Sequence, residues 1–111
     1  MIKIKVFRDS YGSVKMLKVC GHAGYADLGQ DIVCAGVSAL AETAVIALRE
    51  LAGLNPIIKK KHGLLLLKLP KAMPDRKLKV ATTILDTICL GLEDMSRSYP
   101  SFIHMKTIEE V

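Results

Sequence analysis

The run Asp31-Ile32-Val33-Cys34-Ala35-Gly36-Val37-Ser38-Ala39-Leu40, continuing through Ala41-Glu42-Thr43-Ala44-Val45-Ile46-Ala47-Leu48-Arg49-Glu50-Leu51, decides the fold. Apolar residues recur at Val33, Val37, Leu40, Ala44, Leu48 and Leu51, the spacing of a helical stripe, and Gly53 follows as a stop. Asp31 stands where an N-cap belongs. Ala41, Val45, Ile46 and Ala47 widen the stripe well past one face, so the helix is covered on more than one side, by a sheet and by another helix or a second subunit. A membrane span is the competing reading. It fails on length, because a bilayer demands roughly 20 apolar residues. It also fails on content, because Glu42 and Thr43 interrupt the run and Arg49 and Glu50 close it.

Outward from that helix the chain reads as alternating pairs of strands. Ile2, Ile4 and Val6 alternate with Lys3 and Lys5, Asp9-Ser10-Tyr11-Gly12 supplies a turn, and residues 14–20 resume the extended pattern. After Asn55-Pro56, residues 57–61 and 64–69 form a second hairpin around His62-Gly63. The leucine run in it predicts a central strand buried on both faces. Pro74-Asp75 opens a second helix at the position where proline is tolerated. Its stripe runs Leu78, Ala81, Leu85, Ile88, Leu92 and Met95, and it must end before Pro100. Residues 102–107 give a last strand, with Ile103 and Met105 on one side. The order β-β-α-β-β-α-β predicts an α+β fold: a small sandwich of a mixed or antiparallel sheet with two long helices, one domain over residues 1–111.

Composition narrows the function classes. Half the residues are hydrophobic but only 5% are aromatic and none is tryptophan, so the core is aliphatic and little surface can stack nucleobases. The alternating N-terminal segment has no signal-peptide h-region, which leads us to expect a cytoplasmic protein. Three cysteines then point to reduced thiols rather than disulfides. Cys89 falls in the apolar pattern of the second helix and reads as core, while Cys20 closes a strand two residues before His22 and shares a face with it if the strand continues that far. A formal charge of +5 leaves room for a weak contact with ribosomal RNA. The lysines, however, mostly alternate with apolar residues, as on solvated faces of strands and helices. No glycine-rich phosphate loop and no paired Cys-x-x-Cys or His-x-x-x-His metal spacing is present, so we expect no metal and no cofactor.

The chemistry gathers at Gly21-His22-Ala23 and at Cys34. Cys34 falls in the first helical turn, where unpaired backbone N–H groups and the positive end of the helix dipole favour a thiolate over a thiol. His22, at the end of the preceding strand, supplies a base and proton carrier. Backbone N–H groups around Cys34 and Ala35 are candidate oxyanion donors. Ser38, one turn further along the same face, either bonds near the thiol or bonds back to its own helix. Asp31 is first a cap and only secondarily a group that orients His22. The connection Gly24-Tyr25-Ala26-Asp27-Leu28-Gly29-Gln30 has glycine near each end, and we expect Gly24, Tyr25 and Gly29 to belong to a flexible loop that closes over a bound peptide. His62 and His104 read as surface residues, His62 in a hairpin turn.

Gly-His-Ala, a glycine-containing loop, Asp-Ile-Val-Cys-Ala and a serine four residues past the cysteine together resemble the ribosomal-processing cysteine protease family, often called Prp. The likeness is concentrated in residues 21–40; elsewhere it rests on length and element order. The resemblance implies a small homodimeric peptidase that removes an N-terminal extension from large-subunit ribosomal protein twenty-seven. It also implies Cys34 as nucleophile, His22 as its partner, and Asp31 and Ser38 at motif positions. The surface here is more lysine-rich than is typical of that family. The rival class is a non-catalytic ribosome-associated module that binds RNA or protein through its positive charge. A thiol redox sensor, with Cys20 as the resolving cysteine, is a weaker third.

Overall fold

The computed structural model describes residues 1–27 and 30–110. Its elements are β1 (Ile2–Arg8), β2 (Val14–Cys20), α1 (Ile32–Glu50), β3 (Ile57–Lys61), β4 (Leu64–Lys68), α2 (Asp75–Ser98) and β5 (Ile103–Glu109). The strands form one five-stranded sheet in the order β3-β4-β2-β1-β5. β1 and β5 run parallel, and the other neighbours run antiparallel. The α+β order expected from periodicity is therefore present, with a mixed sheet.

Period-two alternation puts Ile2, Ile4 and Val6 of β1, Leu17 of β2, Leu67 of β4 and Ile103 of β5 into the core. Both helices cover that one face: Val33, Val37, Ala44 and Leu48 of α1 and Ala81, Leu85, Ile88 and Leu92 of α2 join the same cluster. By length and apolar content alone α1 could cross a bilayer, but its buried stripe is built into this core instead. Cys89 is 2% exposed. Burial pushes its thiol up to about 11, so it stays protonated and unreactive at neutral pH.

Three expectations need correction. The leucine run is neither central nor buried on both faces: β4 lies one strand from the edge, and Leu64 and Leu66 are half-buried while Leu65 and Leu67 are buried. The reason is that α1 and α2 share a single face of the sheet, leaving the other to solvent. Leu51 does not continue the buried stripe of α1. It is the C-cap residue and is 71% exposed. Pro74 is the residue before α2 rather than its first helical residue, with extended backbone at ψ 146°.

Candidate active site

β2 stops at Cys20 because Gly21 leaves the β-region at φ +89°. Its N–H donates to the carbonyl of Gly63 at 2.9 Å, which draws the β3–β4 turn alongside. The strand therefore does not carry Cys20 and His22 onto one face. Beyond the turn His22 is exposed, and its ring lies 4.8 Å from that of His62, tilted by 42°. Ala23 is buried and fixes the chain again; its N–H points at the Cys34 sulfur, N to Sγ 3.2 Å. The sulfur thus accepts a backbone donor from outside its own helix.

Asp31 is the buried polar residue beneath this site. One carboxylate oxygen accepts the N–H groups of Val33 and Cys34, each at 3.0 Å, and caps α1. The other accepts Tyr25 N–H at 3.0 Å and Ala26 N–H at 3.5 Å, tying the incoming loop to the same helix end. Both oxygens serve backbone donors, so Asp31 positions the helix start and the loop and does not orient His22. The Cys34 N–H bond first, with those from Tyr25 and Ala26, holds its carboxyl below the usual carboxylate range. A depressed carboxylate contributes stability that is complete above its ordinary value of 3.8 and is lost as the pH falls from there through the lower, folded value. Asp31→Ala is accordingly expected to flatten the fall in melting temperature between about pH 4 and pH 2 relative to the parent protein, read by thermal unfolding across that range. Parallel curves would show that the carboxylate is not coupled to folding.

Two adjoining clefts, of about 480 and 500 Å³, meet here. His22, Cys34, Ser38 and His62 line both. The first runs past Gly21, Val19, Leu65 and Glu42, where Lys60 of β3 pairs with Glu42 of α1 at 2.6 Å. The second opens past Gly24, Ala26, Asp31 and Ala35. The structure therefore brings Cys34, His22, Asp31, Ser38, Ala35 and Gly24 together. Tyr25 stands beside them, its ring edge-on to Tyr99 and Phe102 at 5.9 and 5.2 Å. Leu28 and Gly29 of the expected flexible loop lie outside the described residues.

Two readings of individual groups change. The Cys34 N–H is occupied by the Asp31 carboxylate, and the Ala35 N–H by the Asp31 carbonyl at 3.0 Å. Neither is free for an oxyanion, because capping and the first helical bond consume both. His62 is more than a turn residue: it shares both clefts with Cys34 and packs against His22. Its placement follows from the β2–β4 pairing, a contact distant in sequence that local patterns do not reveal. Cys20 lines neither cleft, and among the described residues no group of three or more His, Cys, Asp or Glu side chains is placed to hold a metal ion.

Residues 1–104 match the family described as "Cysteine protease Prp". The chain is 29% identical over 109 residues to the ribosomal processing cysteine protease Prp of Bacillus subtilis strain 168, covering 96% of this chain and 97% of that relative. Among solved structures it is similar to the essential ribosomal processing protease Prp of S. aureus in complex with a covalently linked product peptide. That likeness has a TM-score of 0.87 at 27% identity, over 97% of this chain and 100% of the other. It is also similar to that protease in complex with a substrate peptide, with a TM-score of 0.82 at 26% identity over 97% and 100% of the two chains.

Proposed function

Since the chain belongs to the Prp family of ribosomal processing cysteine proteases, we propose that it removes the N-terminal extension of large-subunit ribosomal protein twenty-seven, with Cys34 as nucleophile and His22 as proton carrier. The observation that supports this most is the convergence of the two side chains on the same pair of clefts, with the Ala23 N–H on the sulfur. The S. aureus relative is known with a substrate peptide and with a product peptide covalently attached, which fits a mechanism through an acyl-enzyme.

In the proposed reaction the Cys34 thiolate attacks the scissile carbonyl carbon and the C=O electron pair moves onto oxygen. As the tetrahedral species collapses, the C–N bond breaks and His22 gives its proton to the departing amine. The extension remains as a thioester on Cys34. Water then attacks that carbonyl while His22 accepts its proton, releasing the carboxylate and restoring the thiolate. Charge leaves the sulfur for the carbonyl oxygen during attack, so the Ala23 N–H, already directed at the sulfur, is our candidate oxyanion donor in place of the occupied groups of α1.

We further place the enzyme in the cytoplasm as a homodimer. The groove between α1 and α2, where Leu51 and Val80 are exposed beside Ala47 and Ile84, offers apolar surface for a second copy. The test of the activity is direct. A peptide spanning the extension junction should be cut once, and rapid quenching should trap a peptide mass on the tryptic fragment that contains Cys34. Cleavage without any adduct on that fragment would remove Cys34 from the mechanism.

A further inference from the structure

The face of the sheet turned away from the helices carries charge of one sign. Strand register sets Lys59, Leu66, Lys18, Lys5 and Lys106 in a single row across all five strands. The next row is Lys61, Leu64, Cys20, Lys3 and His104. The third is Ile57, Lys68, Met16, Phe7 and Ile108. Side chains alternate along strands, so these rows stand opposite to Ile4, Leu17 and Leu67 of the core. No carboxylate occupies any of the positions in the three rows. Their seven lysines, set against a formal net charge of +5, leave the rest of the chain at −2, so the positive charge of this protein is gathered on one side.

A face built only for solvent is better served by mixed signs, because like charges directly opposite one another destabilise a sheet. Here Lys5 faces Lys18 on one side and Lys106 on the other. We propose that this face is a docking surface for RNA, engaging the phosphodiester backbone without reading sequence. Lysine is a point-charge partner for phosphate, and five strands spaced by about 4.8 Å present a platform roughly 20 Å wide. Of the two aromatic rings in the rows, Phe7 is half-buried and His104 stands alone on the edge strand β5, so base stacking contributes little. A bilayer suits the face poorly. Leu64, Leu66 and Met16 are half-buried, while the single apolar side chain more than half exposed, Ile57, sits on the edge strand. Lys61 belongs to this face and also lines the first cleft, so bound RNA would run up to the rim of the active site. The proposal stands on register and charge and is separable from the catalytic reading.

Fluorescence anisotropy with a labelled RNA duplex of arbitrary sequence tests it, in salt from about 50 to 200 mM. Lys5→Glu/Lys18→Glu/Lys106→Glu should weaken binding at least about tenfold and lower the salt slope by about 2 to 3. Lys5→Gln/Lys18→Gln/Lys106→Gln, which removes charge without adding any, should lie between that variant and the parent. Arg76→Glu/Lys79→Glu/Arg97→Glu makes the same change in net charge at exposed positions of α2 and should stay within about threefold of the parent. RNA should also raise the melting temperature of the parent protein more than that of the sheet variants, since it relieves the lysine repulsion. Equal weakening by the sheet and helix variants, no salt-dependent RNA binding, or tighter binding to phosphatidylserine-containing vesicles than to RNA would each overturn the proposal. Junction-peptide cleavage by the sheet variants should be unchanged, which keeps this result distinct from the fate of the protease mechanism.

Discussion

Cys34→Ala is expected to eliminate junction-peptide cleavage, with a loss of at least about 10⁴-fold in kcat. The change removes one sulfur from a half-buried position at the start of α1, keeps the Val33 and Cys34 N–H bonds to Asp31, and deletes the sulfur's contacts with the Ala23 N–H and the Asp31 carboxylate. Folding should therefore survive while chemistry does not. His22→Ala should lose nearly as much, because proton delivery to the leaving amine and attack by the thiolate act as one unit. The double variant should be no worse than the more damaged single one, since removing either member already removes the shared pathway. Steady-state cleavage with thermal unfolding as the folding control measures all three. Retention of more than a hundredth of the parent rate in Cys34→Ala would defeat the nucleophile assignment.

The legible part of this molecule is the part written in local periods. The three-four spacing from Val33 to Leu48, and again from Ala81 to Leu92, specifies two helices, and the Ile2-Ile4-Val6 alternation specifies a strand. That Cys34 and His22 line the same clefts is legible because each sits at the end of an element that sequence defines: a capped helix and a strand closed by Gly21. What sequence patterns do not carry is the lateral order of strands. Whether β4 lies beside β2 or β1 is set by how two hairpins pack under shared helices, so the exposed side of Leu64 and Leu66 could not be read locally. The same non-local pairing puts Gly63 against Gly21 and His62 against His22. That the Cys34 and Ala35 N–H groups are occupied escapes local patterns for a different reason. A helix N-terminus advertises free N–H groups, but a strong cap such as Asp31 consumes the ones nearest Cys34.

Gly21→Ala is expected to be the most damaging single-methyl change near the site, and the reason separates backbone geometry from side-chain chemistry. Gly21 holds φ +89°, a region where an L side chain costs about 1–2 kcal/mol. Gly24 holds φ +73°, so on that count alone the two glycines are nearly equivalent. They differ in what a Cβ would meet. At Gly24 there is open space within 4 Å, whereas at Gly21 the methyl collides with the backbone carbonyl of Met1, at the head of β1. A flexible side chain could step aside, but a carbonyl beside the first residue of a strand paired on both sides moves only if the β1–β2 pairing or the Gly21–Gly63 bond gives way. We therefore expect Gly24→Ala to cost about 1 kcal/mol and Gly21→Ala about 2–4 kcal/mol, a fall in melting temperature of about 10–20 °C for a domain of this size. His22 follows Gly21 directly, so Gly21→Ala should also lower kcat at temperatures where the variant is fully folded, while Gly24→Ala leaves His22 seated. Equal melting temperatures for the two variants would mean that the crowding at Met1 is not part of the folded state, and that the turn which delivers the imidazole is set elsewhere.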